Sequence, residues 1–354
     1  MADIRLHCGD LLPRVVLPDP GGSAVDLSHQ TIAGRPIVLW SVAQAEDAAH
    51  AEQFAGLLTA FEAVEACVFA VAAGNDAAIV ETLEAAGVPQ LVDEGRSVAQ
   101  AFGLGDEPGI IVVAPGGCIA MVETGAGFRD ALELCEKIFG ATNESSPPAH
   151  APVLVIENVF DPELCSTLIA MWESGQKLDN AVAVGAGEAG RVDMSLKRRS
   201  DVHVADRALY ERLGARIASR VFPEVERAYQ AKMASFELPR VGCYESAAQG
   251  FFGRHRDNRT PHTAHRMFAM TVNLNTGAYA GGQLRFPEFG RQLYQPGPGG
   301  AVVFSCSLLH EALPVTSGRR FGLFSFFTDA AGAKREQELI AREKAQGRGG
   351  VRQT

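Results

Sequence analysis

A short stretch poor in apolar periodicity, Ala141–Pro152, contains Ser145-Ser-Pro-Pro148 and divides this chain into two parts with different hydrophobic rhythms. Small, polar and proline residues cannot continue a packed helix or strand, so 141–152 is expected to be a linker. Before it, apolar runs (Pro36–Val42, Cys67–Ala72, Gly109–Ala114) alternate with Ala- and Glu-rich stretches over 45–64 and 76–87. Runs of that length read as buried strands and the intervening stretches as helices, which predicts an α/β layer fold over 1–140. After the linker the pattern is mainly β. Val153–Val159 predicts a strand, Asp161-Pro162 caps a helix running to Ser174, and a second helix is expected over 206–220. From Val241 to Thr328 short β-rich runs separated by Gly and Pro follow: Phe268–Leu274, Gln283–Phe286, Ala301–Ser305 and Phe321–Phe327. That series predicts a sandwich or jelly roll over 153–330, with a charged helix over 333–345 and a Gly/Arg-rich end in the tail 331–354.

With 47% hydrophobic and 21% charged residues, the 354-residue chain can bury two cores. A formal net charge of -10 argues against nucleic acid as the natural partner, because neutralising phosphates needs a basic surface. The run Lys197-Arg198-Arg199 reads as a solvated loop. No window has the roughly 18 to 20 apolar residues of a membrane span, and the first residues do not resemble an export signal. The seven cysteines, Cys8, Cys67, Cys118, Cys135, Cys165, Cys243 and Cys306, form no CxxC pair. They are expected to be reduced thiols in a cytoplasm.

Chemistry concentrates in the β-rich part. In Gly253-Arg-His255-Arg-Asp257 alternate side chains of an extended segment share a face, so His255 and Asp257 point the same way. His310 follows the Ala301–Ser305 run, where an antiparallel strand across a small barrel can set it opposite that pair. Two imidazoles and one carboxylate on one face of an octahedron form the ligand set of non-haem Fe(II) sites that activate oxygen. Downstream, Pro314-Val-Thr-Ser-Gly-Arg-Arg320 leads a cation into a strand, where a buried guanidinium needs an anionic partner such as a carboxylate.

In order, Tyr244, His255-x-Asp257, Gly281-Gly282-x-Leu284, His310 and Pro314-Val-Thr-x-Gly-x-Arg320 resemble the catalytic domain of prolyl 4-hydroxylase-type oxygenases over about 153–328. The resemblance implies a double-stranded β-helix, Fe(II) at His255, Asp257 and His310, and the distal carboxylate of the co-substrate 2-oxoglutarate at Arg320. Tyr244 falls where the family often places a tyrosine that hydrogen-bonds the co-substrate. Where many relatives carry a second tyrosine, this chain has Asn273, whose amide could also meet a carboxylate. Arg320 is preferred to Arg319, which alternation turns away.

The implied reaction consumes dioxygen, decarboxylates 2-oxoglutarate to succinate and hydroxylates an unactivated carbon, with ascorbate as a candidate reductant. Its substrate, a prolyl residue in a protein, an amino acid or a small molecule, depends on loops around 176–200 and 245–266. Within them, 182–199 is either a lid or an inert excursion. Three further histidines, His203, His262 and His265, stand outside the motif order, and the His262-x-x-His265 pair is expected to be a surface feature. Gly281-Gly282 reads as a tight hairpin entry where the missing Cβ counts, and Tyr244 alternatively as a core tyrosine bonded to a backbone carbonyl.

The N-terminal part, from Gly9 to about Gly140, resembles the peroxiredoxin and alkyl-hydroperoxide-reductase branch of the thioredoxin fold. The likeness rests on Gly9-Asp10-x-x-Pro13, Asp26-Leu-Ser28, Gly34-Arg-Pro36, Asp93 and Val98-Ala-x-x-Phe102-Gly103. In that family the reactive cysteine opens a helix just after the Ile37–Val42 strand, where the helix dipole lowers its pKa. Residues 43–54 contain no cysteine; His50 occupies that region and reads as a helix-surface histidine. Cys8, Cys67 and Cys118 read as small hydrophobes. The expected role is binding or homodimerisation, with a redox role through another cysteine as the runner-up. The alternative for the whole chain is a non-catalytic binding or redox adaptor protein.

Overall fold

A computed structural model describes residues 6–74, 76–140, 150–178 and 195–342, with the backbone alone of 181–182, 191–192 and 343–345. Most of the expected linker, much of the 182–199 excursion and the Gly/Arg-rich end lie outside the described residues. The chain divides between His150 and Ala151 into two compact units, with Pro287–Arg291 grouped with the first.

The first unit is built on a five-stranded sheet in the order Gln90–Val92, Cys67–Ala72, Ile37–Val42, Gly109–Val113, Ile119–Thr124. The first three strands run parallel and the last two antiparallel to their neighbours. Ile37–Val42 is buried at every position, as its unbroken apolar run requires of a central strand covered on both faces. Trp40, Phe54, Phe61 and Phe128 pack on one face, while Leu39, Phe102 and Ile111 pack on the other. The helix expected over 45–64 is instead three short pieces, Asp47–His50, Ala51–Ala55 and Leu58–Ala63. Two local features break it. The Asp47 carboxylate accepts the N–H groups of Ala43 and Gln44, and Gly56 interrupts propagation. Cys8 is exposed rather than a buried small hydrophobe, whereas Cys67 is buried.

In the second unit the larger sheet runs Ser200–His203, Arg240–Glu245, Val315–Thr328, Phe268–Asn273, Ala301–Ser305, Val153–Ile156, all antiparallel. Ser235–Phe236 and Tyr279–Gly281 also pair with the long Val315–Thr328 strand. The smaller sheet runs Lys197–Arg198, Phe251–His255, His310–Ala312, Leu284–Arg285, Leu293–Tyr294. Alternation along the larger sheet separates two chemistries. Val241, Met270, Val272, Phe321 and Leu323 join Leu168, Trp172, Leu213 and Ile217 in an apolar core against the helices. Tyr244, Thr271, Asn273 and Arg320 alternate with those core residues and so face the other side.

Three boundaries depart from expectation. Val153–Ile156 ends early because Asn158 turns into the left-handed region at φ 56°, after which Val159 and Phe160 enter the core and Asp161 caps Pro162–Ser174. The helix expected over 206–220 is longer: Arg207–Arg216 passes through a π-turn, Ile217–Val221, into Phe222–Tyr229. Pro223, in the first turn of that last segment, has no N–H to continue an unbroken helical ladder. The last helix starts at Ala330 rather than Ala333, with the Asp329 carboxylate accepting from Gly332 N–H at 2.7 Å.

Candidate active site

The Phe251–His255 and His310–Ala312 strands are neighbours in the smaller sheet, with His255 directly opposite His310. The two histidines are thus partners within one sheet rather than groups facing each other across a barrel. His255 ends its strand and Asp257 lies in the turn beyond, not in a continued extended segment; its N–H donates to the Cys306 carbonyl at 3.0 Å. The turn still delivers the carboxylate. Its Oδ1 lies 3.5 Å from His255 Nε2 and its Oδ2 lies 3.4 Å from His310 Nε2. One donor atom from each of the three residues lies within 4.8 Å of the others.

Both imidazoles are held from behind. His255 Nδ1 is 2.7 Å from the Gly253 carbonyl and His310 Nδ1 is 3.0 Å from the Leu308 carbonyl. A carbonyl only accepts, so each Nδ1 carries a proton and each Nε2 is the ring nitrogen turned toward Asp257. The Phe252 ring stacks on His255 and Phe304 packs edge-on against His310, fixing the ring planes. Burial, with His255 adding to it, brings the His310 pKa down to about 4, so this imidazole is neutral near pH 7. Burial works against the Asp257 charge, but the His310 and His255 beside it outweigh that and hold its carboxyl well below the usual carboxylate range. Two imidazole lone pairs and one carboxylate fit a divalent cation, and the donor set suits Fe(II) with open positions.

A second buried polar group lies on the larger sheet. Arg320, opposite Tyr244 in register, is 2% exposed. Its Nη2 donates to Asn273 Oδ1 at 3.1 Å, and its guanidinium lies 5.2 Å from the Tyr244 ring centre. Nε and Nη1 have no partner among the described residues. A buried guanidinium with two idle donors is costly unless an anion completes it. Asn273 donates from Nδ2 to the Pro296 carbonyl, so its amide is anchored while its oxygen steers the arginine. Gly282, at φ 70°, makes room: a Cβ there would lie 2.9 Å from Arg320 Cδ. Arg319 turns away and pairs with Glu173 at 2.7 Å.

The basic run read as solvated is not so. Lys197 and Arg199 are buried, because alternation turns them, with Asp201, to one side. Lys197 Nζ is 3.1 Å from Asp201 Oδ2; Arg199 grips Asp201 through Nε at 2.6 Å and Nη2 at 2.8 Å, and its Nη1 donates to Tyr244 OH at 3.1 Å. The Tyr244 hydroxyl therefore accepts from a side chain. The period-two spacing Lys197, Arg199, Asp201 was the available signal.

His265 also differs from expectation. It is 3% exposed, held under the last helix by the turn after Thr260, with Nε2 3.3 Å from Glu237 Oε1 and 3.6 Å from Glu336 Oε1. His203 is exposed, and His262 does not join His265 in this group.

No protein-family model matches the chain. A PKHD-type hydroxylase of Shewanella sp. (strain MR-7) is 24% identical over 194 residues, spanning 53% of this chain and 83% of that protein. A prolyl-4-hydroxylase structure from Pseudomonas putida is 20% identical, covering 51% of this chain and 94% of its own, with a TM-score of 0.39. A peroxidoxin structure from Mycobacterium tuberculosis is 20% identical, covering 39% of this chain and 98% of its own, with a TM-score of 0.33. Over about half its length, this chain is thus similar to a PKHD-type hydroxylase.

Proposed function

We propose that the second unit is an Fe(II)- and 2-oxoglutarate-dependent dioxygenase of the prolyl 4-hydroxylase type, built as a double-stranded β-helix over 153–330. His255, Asp257 and His310 hold the iron. Arg320 holds the distal carboxylate of 2-oxoglutarate, with Asn273 steering the arginine and Tyr244 lining the pocket. The observation that carries this reading is the pairing of two chemically unfinished sites in one unit. Two imidazole nitrogens and one carboxylate lie within 4.8 Å of one another, and a buried arginine has two donors without an acceptor among the described residues.

Bound iron would supply oxygen activation. The remaining work belongs to the chain's own residues. The Gly253 and Leu308 carbonyls hold the imidazole protons on Nδ1. Phe252 and Phe304 keep the rings from turning and shield them from water. Arg320 fixes one end of the co-substrate so that its 2-oxo acid end reaches the triad. In the net reaction one oxygen atom enters a substrate C–H bond and the other enters succinate, with release of carbon dioxide. The substrate is a prolyl residue in a protein, an amino acid or another small molecule. The first unit, over 1–140, is proposed to be a thioredoxin-like module without a peroxidatic cysteine, joined through 141–152. Among the described residues no helix is long and apolar enough to cross a membrane.

The test is succinate production from protein loaded anaerobically with Fe(II) and 2-oxoglutarate and then given oxygen. Wild type is expected to form succinate slowly even without substrate, and Arg320→Ala to need roughly 100-fold more 2-oxoglutarate. Absence of iron and 2-oxoglutarate binding in wild type would overturn the reading.

A further inference from the structure

Asn273 stands where the resemblance places a second tyrosine, and it supplies no hydroxyl. Its oxygen is committed to Arg320 and its nitrogen donates to Pro296. A hydroxyl is available from another strand. Tyr279 is 8% exposed, and its OH is buried without a partner among the described residues. Tyr279 sits opposite Gly318 on the Val315–Thr328 strand, two residues before Arg320. A Cβ added to Gly282 would lie 2.9 Å from Arg320 Cδ and 3.6 Å from Tyr279 Cε2, the carbon next to the one bearing the hydroxyl. The phenol end and the arginine stem therefore flank the space that this glycine keeps clear. Tyr279 also packs in one cluster with Tyr244, whose ring lies beside the Arg320 guanidinium.

A buried hydroxyl without an acceptor is unfavourable in the free protein, as are the two idle donors of Arg320. A carboxylate has about four acceptor positions and can take all three donors. We propose that Tyr279 donates its hydroxyl to the same distal carboxylate that Arg320 grips, taking the part of the tyrosine missing at position 273; this rests on the 2-oxoglutarate reading above. Replacement by phenylalanine removes only the idle oxygen.

Calorimetry on the full chain, loaded anaerobically with Fe(II), would compare 2-oxoglutarate with 2-oxopentanoate, which carries a methyl group in place of the distal carboxylate. Tyr279→Phe is expected to weaken 2-oxoglutarate binding about tenfold, as loss of a hydrogen bond to a charged group does. It should leave 2-oxopentanoate unchanged and the ligand-free Tm equal or higher. Equal weakening for both ligands, or a ligand-free Tm lowered by several degrees, would assign Tyr279 a structural role and overturn the proposal. Unchanged 2-oxoglutarate binding in Tyr279→Phe, with clear weakening in Arg320→Ala, would overturn this inference while leaving the co-substrate reading standing. Failure of wild type to bind 2-oxoglutarate would remove both.

Discussion

Two clusters in the second unit, His255/Asp257/His310 and Glu237/His265/Glu336, each bring imidazole and carboxylate atoms within 4.8 Å of one another, yet they differ in what already balances their charge. In the first, the two imidazoles turn Nε2 toward Asp257, at 3.5 Å and 3.4 Å. In the second, Arg266 grips both oxygens of Glu237, through Nε to Oε1 and through Nη2 to Oε2 at 2.7 Å. Burial works against the Glu237 charge, but Arg266 beside it outweighs that and brings the carboxyl down to about 2. The second cluster is thus completed by a protein cation, whereas Arg266 reaches Asp257 only at its backbone carbonyl, at 3.4 Å, which favours the first cluster for the proposed iron. Ligand-type residues at short range are not enough to read a metal centre; the position of the nearest guanidinium decides between the two.

The largest effect that could break this contrast is metal loss. Asp257→Ala should lower iron affinity by more than about 100-fold and abolish succinate, since residues that only orient a ligand already cost about 10- to 100-fold. His265→Ala should leave bound iron unchanged; equal losses in the two variants, measured by metal analysis after gel filtration, would erase the distinction. Next comes Arg266→Met, which strands the Glu237 carboxylate in a poorly solvated site. A loss of about 3 kcal/mol in denaturant unfolding is expected, and a neutral result would mean that Glu237 is not held by the fork.

A third cluster, Lys197/Arg199/Asp201, sharpens the same point through pH. Burial, with Arg199 adding to it, brings the Lys197 ammonium down to about 7 from its usual 10.5. Between those values the unfolded chain binds a proton that the folded chain does not, so this residue's contribution to stability rises with pH from about 7 to about 10.5. Below about 7 the full penalty of burying the charge is present. Lys197→Met should therefore compare more favourably with wild type at pH 6 than at pH 9 in thermal melts; a difference independent of pH would refute the buried-ammonium assignment. The smallest effect is expected from Glu336→Gln. This partly exposed contact to His265 should contribute about 0.5 kcal/mol, read from the Tm.

Much of the first unit was legible because Ile37–Val42, Cys67–Ala72 and Gly109–Val113 are unbroken apolar runs, and burial on both faces leaves such runs few alternatives. In the second unit the His255-x-Asp257 spacing and the order of His310 and Arg320 were legible, since they are properties of the chain itself. The pairing of His255 with His310 was not, because register between distant strands is set by tertiary packing. Burial of Lys197, Arg199 and His265 was missed for a related reason. Polar residues were assigned to solvent, whereas Asp201, Glu237 and Glu336, distant or overlooked in the chain, compensate them inside. Tyr279 carried no sequence signal, as an idle hydroxyl is visible only once its neighbours are in place.

The direct opposition of His255 and His310 would give the proposed iron a role as a witness to folding. A one-residue slip between those strands would turn one imidazole to the opposite side of the sheet and dismantle the donor set. Metal would then select the native register from its near neighbours and stabilise it according to free iron concentration. Chelation should accordingly lower the unfolding temperature of the second unit, and during refolding iron capture should lag behind strand formation until the two edges have found their alignment.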